Sequence, residues 1–315
     1  GHIMYLKTIS MIFILLLSIN NCYPSESNNH NNLSLKVEIS KLLKGTNWMY
    51  EDSDISYFDV DNDGNNEIIT FAYFHNKENT YVKTLILKKR DNNQLYLYME
   101  NPMIQLPMNN NSNQYSEDYI SMKDDVIEIH SIRGTALRTS LISYFKVING
   151  ELVLIRQDID TYRNTDGESL SREYKFITGE YSEVAENILD QECRPNLTEI
   201  GVNGSICQGD NGYTAKKEIK SKRPNKNILF ENLCSNFDGG VNFSFPCSEN
   251  SHKIIGKSYL YKFPGTESRL YLVKGDLINI IDKFIDNKKQ SWYFINYKGK
   301  KEINMWIKAD SVDLN

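Results

Sequence analysis

The sequence predicts a mainly β protein, with an N-terminal antiparallel β domain and a smaller C-terminal β barrel. Three observations support this fold class. Short apolar runs that alternate with polar residues recur from Ile55 onward, which is typical of half-buried strands. Asn149-Gly150 separates two such runs and is a strong hairpin signal, because both residue types accept positive φ angles. Tyr occurs 20 times in 315 residues, and aromatic side chains favour strands.

The first 22 residues predict an export signal. Gly1–Ile3 look like a cloning scar, Met4 is the expected native start, and Lys7 supplies a positive charge. Residues 9–19 then form an uncharged apolar run, which is shorter than the roughly 20 residues that a membrane-spanning helix needs. The run fits the apolar core of a signal peptide. A buried core helix is the alternative interpretation.

Cys22 directly follows this apolar run and resembles the lipidated cysteine of bacterial lipoproteins. Asn20 and Asn21 depart from that pattern, because the family prefers small residues there. A plain cleaved signal is therefore the alternative. We expect a periplasmic protein that is bound to a membrane only through a lipid anchor. The polar residues 23–33 are predicted to form a flexible tether.

The four other cysteines are predicted to form disulfides, because exported proteins meet an oxidising compartment. They are Cys193, Cys207, Cys234 and Cys247. Four cysteines allow three connectivities. Proximity in the sequence favours Cys193–Cys207 and Cys234–Cys247, and we expect residues 191–250 to be a disulfide-tied linker region. A zinc site is the weaker alternative, since the sequence has no C-x-x-C motif.

Residues 34–190 are predicted to form the N-terminal β domain. Apolar spacing over Leu35–Leu43 predicts a helix that ends at Gly45, and Val184–Leu189 is predicted as a second, short helix. The predicted strands are Glu67–Phe74, Tyr81–Lys89, Leu95–Met99, Val126–Ile132, Leu141–Ile148, Glu151–Arg156 and Tyr174–Ile177. Short strands at this spacing favour an antiparallel sandwich, a barrel or a propeller-like sheet.

Residues 59–67 (DVDNDGNNE) form an acidic loop in which carboxylates recur at alternate positions and Gly64 permits a sharp bend. Such a density of hard oxygen ligands predicts calcium. The predicted ligands are Asp59, Asp61, Asp63, the Asn65 carbonyl and Glu67. Because Thr70 takes the place of the last EF-hand ligand and a strand follows, the loop resembles the calcium loops that join strands in FG-GAP-type repeats. We expect a structural ion. The alternative is a solvated turn closed by its own Asx hydrogen bonds.

The C-terminal residues 251–315 carry a specific order of motifs. They are YLYKFPG (259–265), LYLVKGD (270–276), SWYFINYKGKK (291–301) and MWIKADSV (305–312). This order resembles bacterial SH3-like domains, in which Trp292 and Trp306 would occupy the usual aromatic core positions. Members of that family often bind peptidoglycan or peptides, so the resemblance allows a cell-wall-binding or sensing lipoprotein as one function.

A second resemblance covers the N-terminal domain. The acidic loop, the hairpin Tyr144–Ile155 and the segment Tyr174–Gly179 together resemble a group of bacterial lipoproteins. Some members are immunity proteins that block peptidoglycan hydrolases injected by type IV or type VI secretion systems, and they look related to periplasmic lysozyme inhibitors. The resemblance implies a twisted or propeller-like sheet with a calcium loop, and a secreted hydrolase toxin as the partner.

Under that resemblance, inhibition would be steric, and residues 131–138 (SIRGTALR) are the candidate plug. The candidate target-binding residues are Ser131, Arg133 and Arg138. An arginine could meet the catalytic carboxylates of a lysozyme-like hydrolase through paired hydrogen bonds. An ordinary surface loop is the alternative.

Other function classes receive little support from the sequence. The net charge is −5 with both signs mixed along the chain, so nothing indicates a nucleic-acid partner. His75, His130 and His252 are far apart, and the sequence contains no nucleophile elbow, H-E-x-x-H motif or phosphate loop. We therefore do not expect an enzyme, although a glycosidase with two separated carboxylates stays open.

Overall fold

The computed structural model describes residues 27–51, 53–164, 167–187, 196–197, 202–203, 206–207, 213–235, 237 and 241–314. Within these ranges the chain forms one α-helix and several antiparallel sheets, which confirms the prediction of a mainly β fold. The predicted export signal, Cys22 and Cys193 lie outside the described residues. Over the part described, the helix is neither long enough nor apolar enough to cross a bilayer.

Helix α1 (Ser27–Leu42) is longer than the sequence pattern predicts. Leu35, Ile39 and Leu43 follow each other at the four-residue spacing of one helix face, and all three are buried. The helix begins at Ser27, so residues 27–33, expected in the tether, are helical instead. The pattern did not extend that far because Ser and Asn are weak helix formers, and the helix depends on the apolar face that follows them.

The first sheet covers α1 and supplies much of the main core. Its strands are β1 (Ser56–Phe58), β2 (Glu67–His75), β3 (Asn79–Lys89), β4 (Leu95–Asn101) and β5 (Met108–Asn109). The first four pair in chain order, and β5 pairs with β3. Strands β2 and β3 are buried along almost their whole length because both faces are covered, which explains their continuous apolar sequence.

The second and largest sheet has nine strands, and short strands flank it. Its first six strands are β6 (Ser116–Lys123), β7 (Val126–Arg133), β8 (Leu137–Ile148), β9 (Glu151–Arg163), β10 (Glu168–Lys175) and β11 (Glu180–Asn187). The strands that follow are β12 (Asn196–Leu197), β13 (Val202–Asn203), β14 (Ile206–Cys207), β15 (Tyr213–Lys222) and β16 (Ile228–Leu229). The order is β14-β15-β11-β10-β9-β8-β7-β6, with β16 paired to β9 and β12 paired to β13 separately.

This sheet confirms one prediction and corrects two. Asn149 and Gly150 have φ angles of 54° and 79° and join β8 to β9, as the hairpin signal predicts. The predicted short helix at 184–189 is wrong over the described residues, because β11 continues to Asn187. Residues 213–222, expected in a linker, form β15 along β11. Their four lysines and one glutamate explain why the sequence pattern missed the strand, since a strand rich in charged residues lacks a long apolar run.

The third sheet is built from the C-terminal residues. The remaining strands are β17 (Leu233–Cys234), β18 (Phe245–Pro246), β19 (His252–Ile254), β20 (Ser258–Phe263), β21 (Thr266–Leu272), β22 (Leu277–Ile285), β23 (Ser291–Lys298), β24 (Glu302–Lys308) and β25 (Val312–Asp313). Strands β17 and β18 pair with each other, and the other seven have the order β21-β20-β24-β23-β22-β19-β25. A disulfide joins Cys234 to Cys247, the local pair that the sequence favours. For Cys207 only the backbone, in β14, is described.

The first and third sheets share a core. Along β23, Tyr293 and Ile295 point into a core that belongs to the C-terminal residues, whereas Phe294 points into the main core. The Phe294 ring stacks on Tyr81 of β3, with 4.4 Å between the ring centroids. Trp306 lies beside them and is 1% exposed. Because successive residues of a strand face opposite sides, one strand serves both cores.

Candidate functional site

The acidic loop connects β1 to β2 and is closed by its own side chains. Asn62 and Gly64 have φ angles of 61° and 86°, which turn the chain sharply. The two oxygens of the Asp59 carboxylate accept hydrogen bonds from the backbone N–H groups of Asp63 (3.0 Å) and Gly64 (2.8 Å). Asp63 Oδ1 accepts another from the N–H of Asn65 at 2.8 Å. These Asx contacts hold the loop in one conformation.

Three of the five predicted ligands converge. Asp59, Asp61 and Glu67 each place a carboxylate oxygen within 4.8 Å of the others. Glu67 is 1% exposed, and its Oε2 accepts a hydrogen bond of 2.7 Å from the N–H of Val60. Asp61 Oδ1 is buried and has no hydrogen-bond partner among the described residues. An unsatisfied buried carboxylate oxygen is costly, and a bound cation would satisfy it. This acidic triad can therefore hold a metal ion.

The other two predicted ligands, Asp63 and Asn65, are not members of the acidic triad. Asp63 Oδ2 lies 2.7 Å from Lys88 Nζ, and Lys88 also contacts the triad. The Asp63 carboxylate is therefore linked to the triad through this lysine. Asn65 is exposed, and its backbone N–H and its side chain both hydrogen-bond to Asp63. The alternate spacing of the sequence thus brings together the first, second and last carboxylates of the loop.

Lys88, in β3, is the residue of the site that the sequence did not reveal. Its Nζ lies 2.6 Å from Asp61 Oδ2 and 3.3 Å from Glu67 Oε1, in addition to its contact with Asp63. It also lies 4.6 Å from the ring centroid of Tyr98, whose hydroxyl donates to Asp61 Oδ2 at 3.0 Å. A possible signal was a lysine at the end of the almost continuously apolar run of β3.

The charges of the site leave it negative. Burial raises the pKa of Glu67, although hydrogen bonds from Val60 and Lys88 oppose this shift. The hydrogen bond from Lys88 lowers the pKa of Asp63. Burial alone would lower the pKa of Lys88, but hydrogen bonds to Asp61, Asp63 and Glu67 raise it, so its ammonium stays charged. One ammonium cannot balance the cluster of carboxylates, which therefore attracts a further cation.

The predicted plug divides into a buried brace and an exposed tip. Ser131 Oγ accepts a hydrogen bond of 2.9 Å from the N–H of Leu106. Arg133 is 8% exposed; its Nη2 donates to Leu106 O at 2.6 Å and to both carboxylate oxygens of Asp118 at 2.8 and 3.0 Å. Ser131 and Arg133 therefore hold β7 to neighbouring segments. Both side chains face their own chain, and their predicted contact with a target stays a prediction.

Arg138 lies on the exposed tip. Its guanidinium lies over the ring of Tyr115, at 4.7 Å from the ring centroid, and the neighbouring Leu137 is 49% exposed. We call Tyr115, Leu137 and Arg138 the Arg138 surface. Gly134 fixes the turn below it, because its φ is 92° and a Cβ there would lie 1.9 Å from Leu137 O. The N–H of Gly134 also donates to Tyr115 O at 2.9 Å.

One histidine, His130 on β7, lies beside a serine and a glutamate and could suggest a catalytic triad. His130 Nε2 lies 3.2 Å from Ser121 Oγ and 3.1 Å from Glu128 Oε2. A Ser-His-acid triad needs the serine and the carboxylate on different ring nitrogens. Here one nitrogen meets both groups, and the ring stacks on Tyr119 with a centroid distance of 4.1 Å. This arrangement packs the sheet face and does not form such a triad.

The search for relatives found no match to a family model, to a curated protein or to a solved structure. The fold and the site by themselves define a β-sheet protein that carries an acidic loop fit for a cation and a braced loop with an exposed tip.

Proposed function

We propose that this protein is an envelope-tethered immunity protein that binds and sterically inhibits a secreted peptidoglycan hydrolase. The observation that carries the proposal is the Arg138 surface, a rigid tip that exposes Tyr, Leu and Arg together. Tyr and Arg are the residue types that most often dominate protein–protein binding energy. A guanidinium also suits the acidic cleft of a lysozyme-like hydrolase, since it can form paired hydrogen bonds with a carboxylate.

Rigidity supports this role. Gly134 and the buried Arg133 hold the backbone on the β7 side of the turn, and on the β8 side the N–H of Asn164 donates to Ala136 O at 2.9 Å. A binding loop that is already ordered loses little conformational entropy when it docks. Loops held on a stiff scaffold are the usual place for binding residues.

The finer assignments belong to the same proposal. Calcium is the cation that we propose for the acidic triad, with a structural role: it would neutralise the clustered carboxylates and fix the loop. We assign residues 1–22 to an export signal and Cys22 to a lipid anchor, which place the chain in the periplasm. We assign the C-terminal sheet to the SH3-like class and the N-terminal sheets to a twisted or propeller-like domain.

The test is inhibition of a peptidoglycan hydrolase by the purified protein, first with the hydrolase encoded next to its gene. The parent protein should bind this hydrolase in a pull-down and block lysis of cell-wall substrate. Arg138→Glu should abolish both effects, whereas the exposed Arg269→Glu on β21 should leave them intact. Unchanged inhibition by Arg138→Glu would remove the Arg138 surface from the mechanism.

A cell-wall-binding role is the second candidate, and one aromatic pair favours it. Tyr259 and Tyr271 pack edge to face on β20 and β21, and both are more than one-third exposed. Lys257 Nζ lies 5.1 and 4.4 Å from their ring centroids. If the protein neither binds nor inhibits the hydrolase but sediments with peptidoglycan sacculi, and Tyr271→Ala prevents this, the second candidate replaces the first.

A further inference from the structure

The solvent face of α1 carries basic and apolar side chains. Lys41 and the apolar Leu33 and Val37 lie along one exposed stripe of the helix, opposite the buried face, and the exposed Lys44 lies in the turn just after the helix. The acidic residue of this stretch, Glu38, is half-buried on the flank of the helix. A basic stripe is unexpected in a chain with a net charge of −5.

The stripe continues into a shallow groove of about 550 Å³ between α1 and the segment that follows it. Met49, on the far side, is 47% exposed, while Trp48 is buried beneath. Of the described residues that line this groove, none is acidic, and Lys36, Lys41 and Lys44 are basic. The surface thus combines exposed apolar side chains with several ammonium groups.

We infer that the α1 face, which is formed by Leu33, Val37 and Lys41 on the helix and by Lys44 and Met49 in the segment after it, docks on an anionic phospholipid surface. Exposed apolar side chains enter the headgroup boundary, and lysines beside them attract anionic lipids. The attraction amounts to about 1 kcal/mol for each lysine near the surface, or roughly fivefold in affinity. Such a face would add to the attachment that the proposed lipid anchor supplies.

The position of α1 in the chain agrees with docking on a phospholipid surface. This argument rests on the proposed lipid anchor at Cys22. Ser27 follows Cys22 by five positions, and an extended chain spans at most about 3.5 Å per residue. The first residue of α1 therefore lies within about 18 Å of an anchored cysteine. The Arg138 surface lies on a different sheet, so docking through α1 is compatible with capture of a hydrolase.

The test is the partition of the full chain, without acylation, between buffer and vesicles. The quantity measured is the ratio of its affinity for vesicles that contain phosphatidylglycerol to its affinity for pure phosphatidylcholine vesicles. The apolar N-terminal run contributes to both affinities, so the ratio isolates the charge effect. Lys41→Gln with Lys44→Gln should lower this ratio about 30-fold at 0.15 M salt. The matched control, Lys262→Gln with Lys274→Gln on the C-terminal sheet, should leave it unchanged.

Three results would overturn the inference. The first is a ratio near one for the parent protein, and the second is an equal loss in both double variants. The third is a dimer of the parent that the α1 variant abolishes, which would assign the face to a second copy of the chain. Far-ultraviolet circular dichroism checks that each variant folds. Hydrolase inhibition is measured without vesicles, so failure of either assay leaves the other claim standing.

Discussion

Lys88 Nζ lies 2.6 Å from Asp61 Oδ2, so a lysine of β3 already neutralises part of the acidic loop. Two groups that are distant in sequence thus meet at the carboxylate whose other oxygen, Oδ1, is free to bind a metal ion. The loop can be stabilised by the ammonium, by a divalent cation, or by both together. The balance between the lysine and a bound cation would decide how strongly the stability of the loop depends on a metal ion.

Replacing Lys88 by Met should make the loop depend on calcium. Without metal, the variant should lose about 3 kcal/mol of unfolding free energy, because the buried Glu67 and the half-buried Asp61 lose their ammonium partner. Added calcium should recover much of the loss and raise Tm more than in the parent. Differential scanning calorimetry with EDTA or calcium measures this. Asp61→Ala with Asp63→Ala should abolish the rise in Tm that calcium causes. If calcium raises Tm neither in the parent nor in Lys88→Met, this result would contradict a metal site.

The two arginines of the β7–β8 loop should separate stability from binding. Arg133→Ala should cost about 3–5 kcal/mol, because it leaves the buried Asp118 carboxylate without its bidentate partner. Arg138→Ala should change stability by less than about 0.5 kcal/mol, since its side chain is exposed. Urea unfolding measures both. We expect Arg138→Ala to weaken hydrolase binding at least tenfold. If Arg138→Ala is strongly destabilising and Arg133→Ala is not, Arg133 does not hold the loop in place.

Gly134 should not tolerate a side chain. Gly134→Ala should lower the unfolding free energy by about 2–4 kcal/mol, because the new Cβ would meet Leu137 O in a left-handed backbone conformation. Gly265→Ala is the matched control: its φ is also positive, at 86°, but nothing lies within 4 Å. It should cost only about 1 kcal/mol. Equal losses in the two variants would mean that the close approach below the Arg138 surface is unimportant.

Stability should fall as pH rises from about 4.5 to 7 because of Glu302. This residue and Glu100 hydrogen-bond to each other between the first and third sheets. Burial raises the pKa of Glu302 from 4.5 to about 7; Lys83 opposes the shift, and Glu100 adds to it. In this pH range the folded protein keeps a proton that the unfolded chain has released, so unfolding becomes more favourable as pH rises.

Glu302→Gln cannot release this proton, so its stability curve should be flatter over the same range. At pH 8 the variant should be more stable than the parent by up to about 3 kcal/mol. Urea unfolding at a series of pH values measures the difference, with the exposed Glu151→Gln as the control. A parent slope that Glu302→Gln leaves unchanged would exclude Glu302 as its source. Glu100 acts in the opposite direction at acid pH, since Lys83 and Lys298 lower its pKa against the effect of burial.

The disulfide should stabilise the junction before the third sheet. Cys234 and Cys247 are 13 residues apart, and closing a loop of this size is worth about 3 kcal/mol. Cys234→Ser with Cys247→Ser should lower the unfolding free energy by that amount in urea. The paired substitution leaves no lone thiol at this site. A change below about 1 kcal/mol would show that the crosslink contributes little.

Local signals in the sequence determined the class of the fold and part of the site. Asn149-Gly150 specified a hairpin because the preference for positive φ belongs to the two residues themselves. Apolar runs, alternating or continuous, predicted β2, β3 and β4 of the first sheet and β7, β8 and β9 of the second, and the spacing of carboxylates from Asp59 to Glu67 predicted the acidic loop. Each of these features depends on neighbours a few residues away, so a single sequence contains the necessary information.

Only the tertiary structure decided which distant groups meet. Lys88 reaches the acidic loop, Arg133 turns to Asp118, β15 completes the large sheet along β11, and Phe294 joins the core of Tyr81. These contacts depend on strand register and on which sheet faces pack together, and local propensity encodes neither. The sequence therefore determined the kinds of elements and a candidate cation loop. Tertiary packing decided that one predicted target-binding arginine is a buried brace and that the other is exposed.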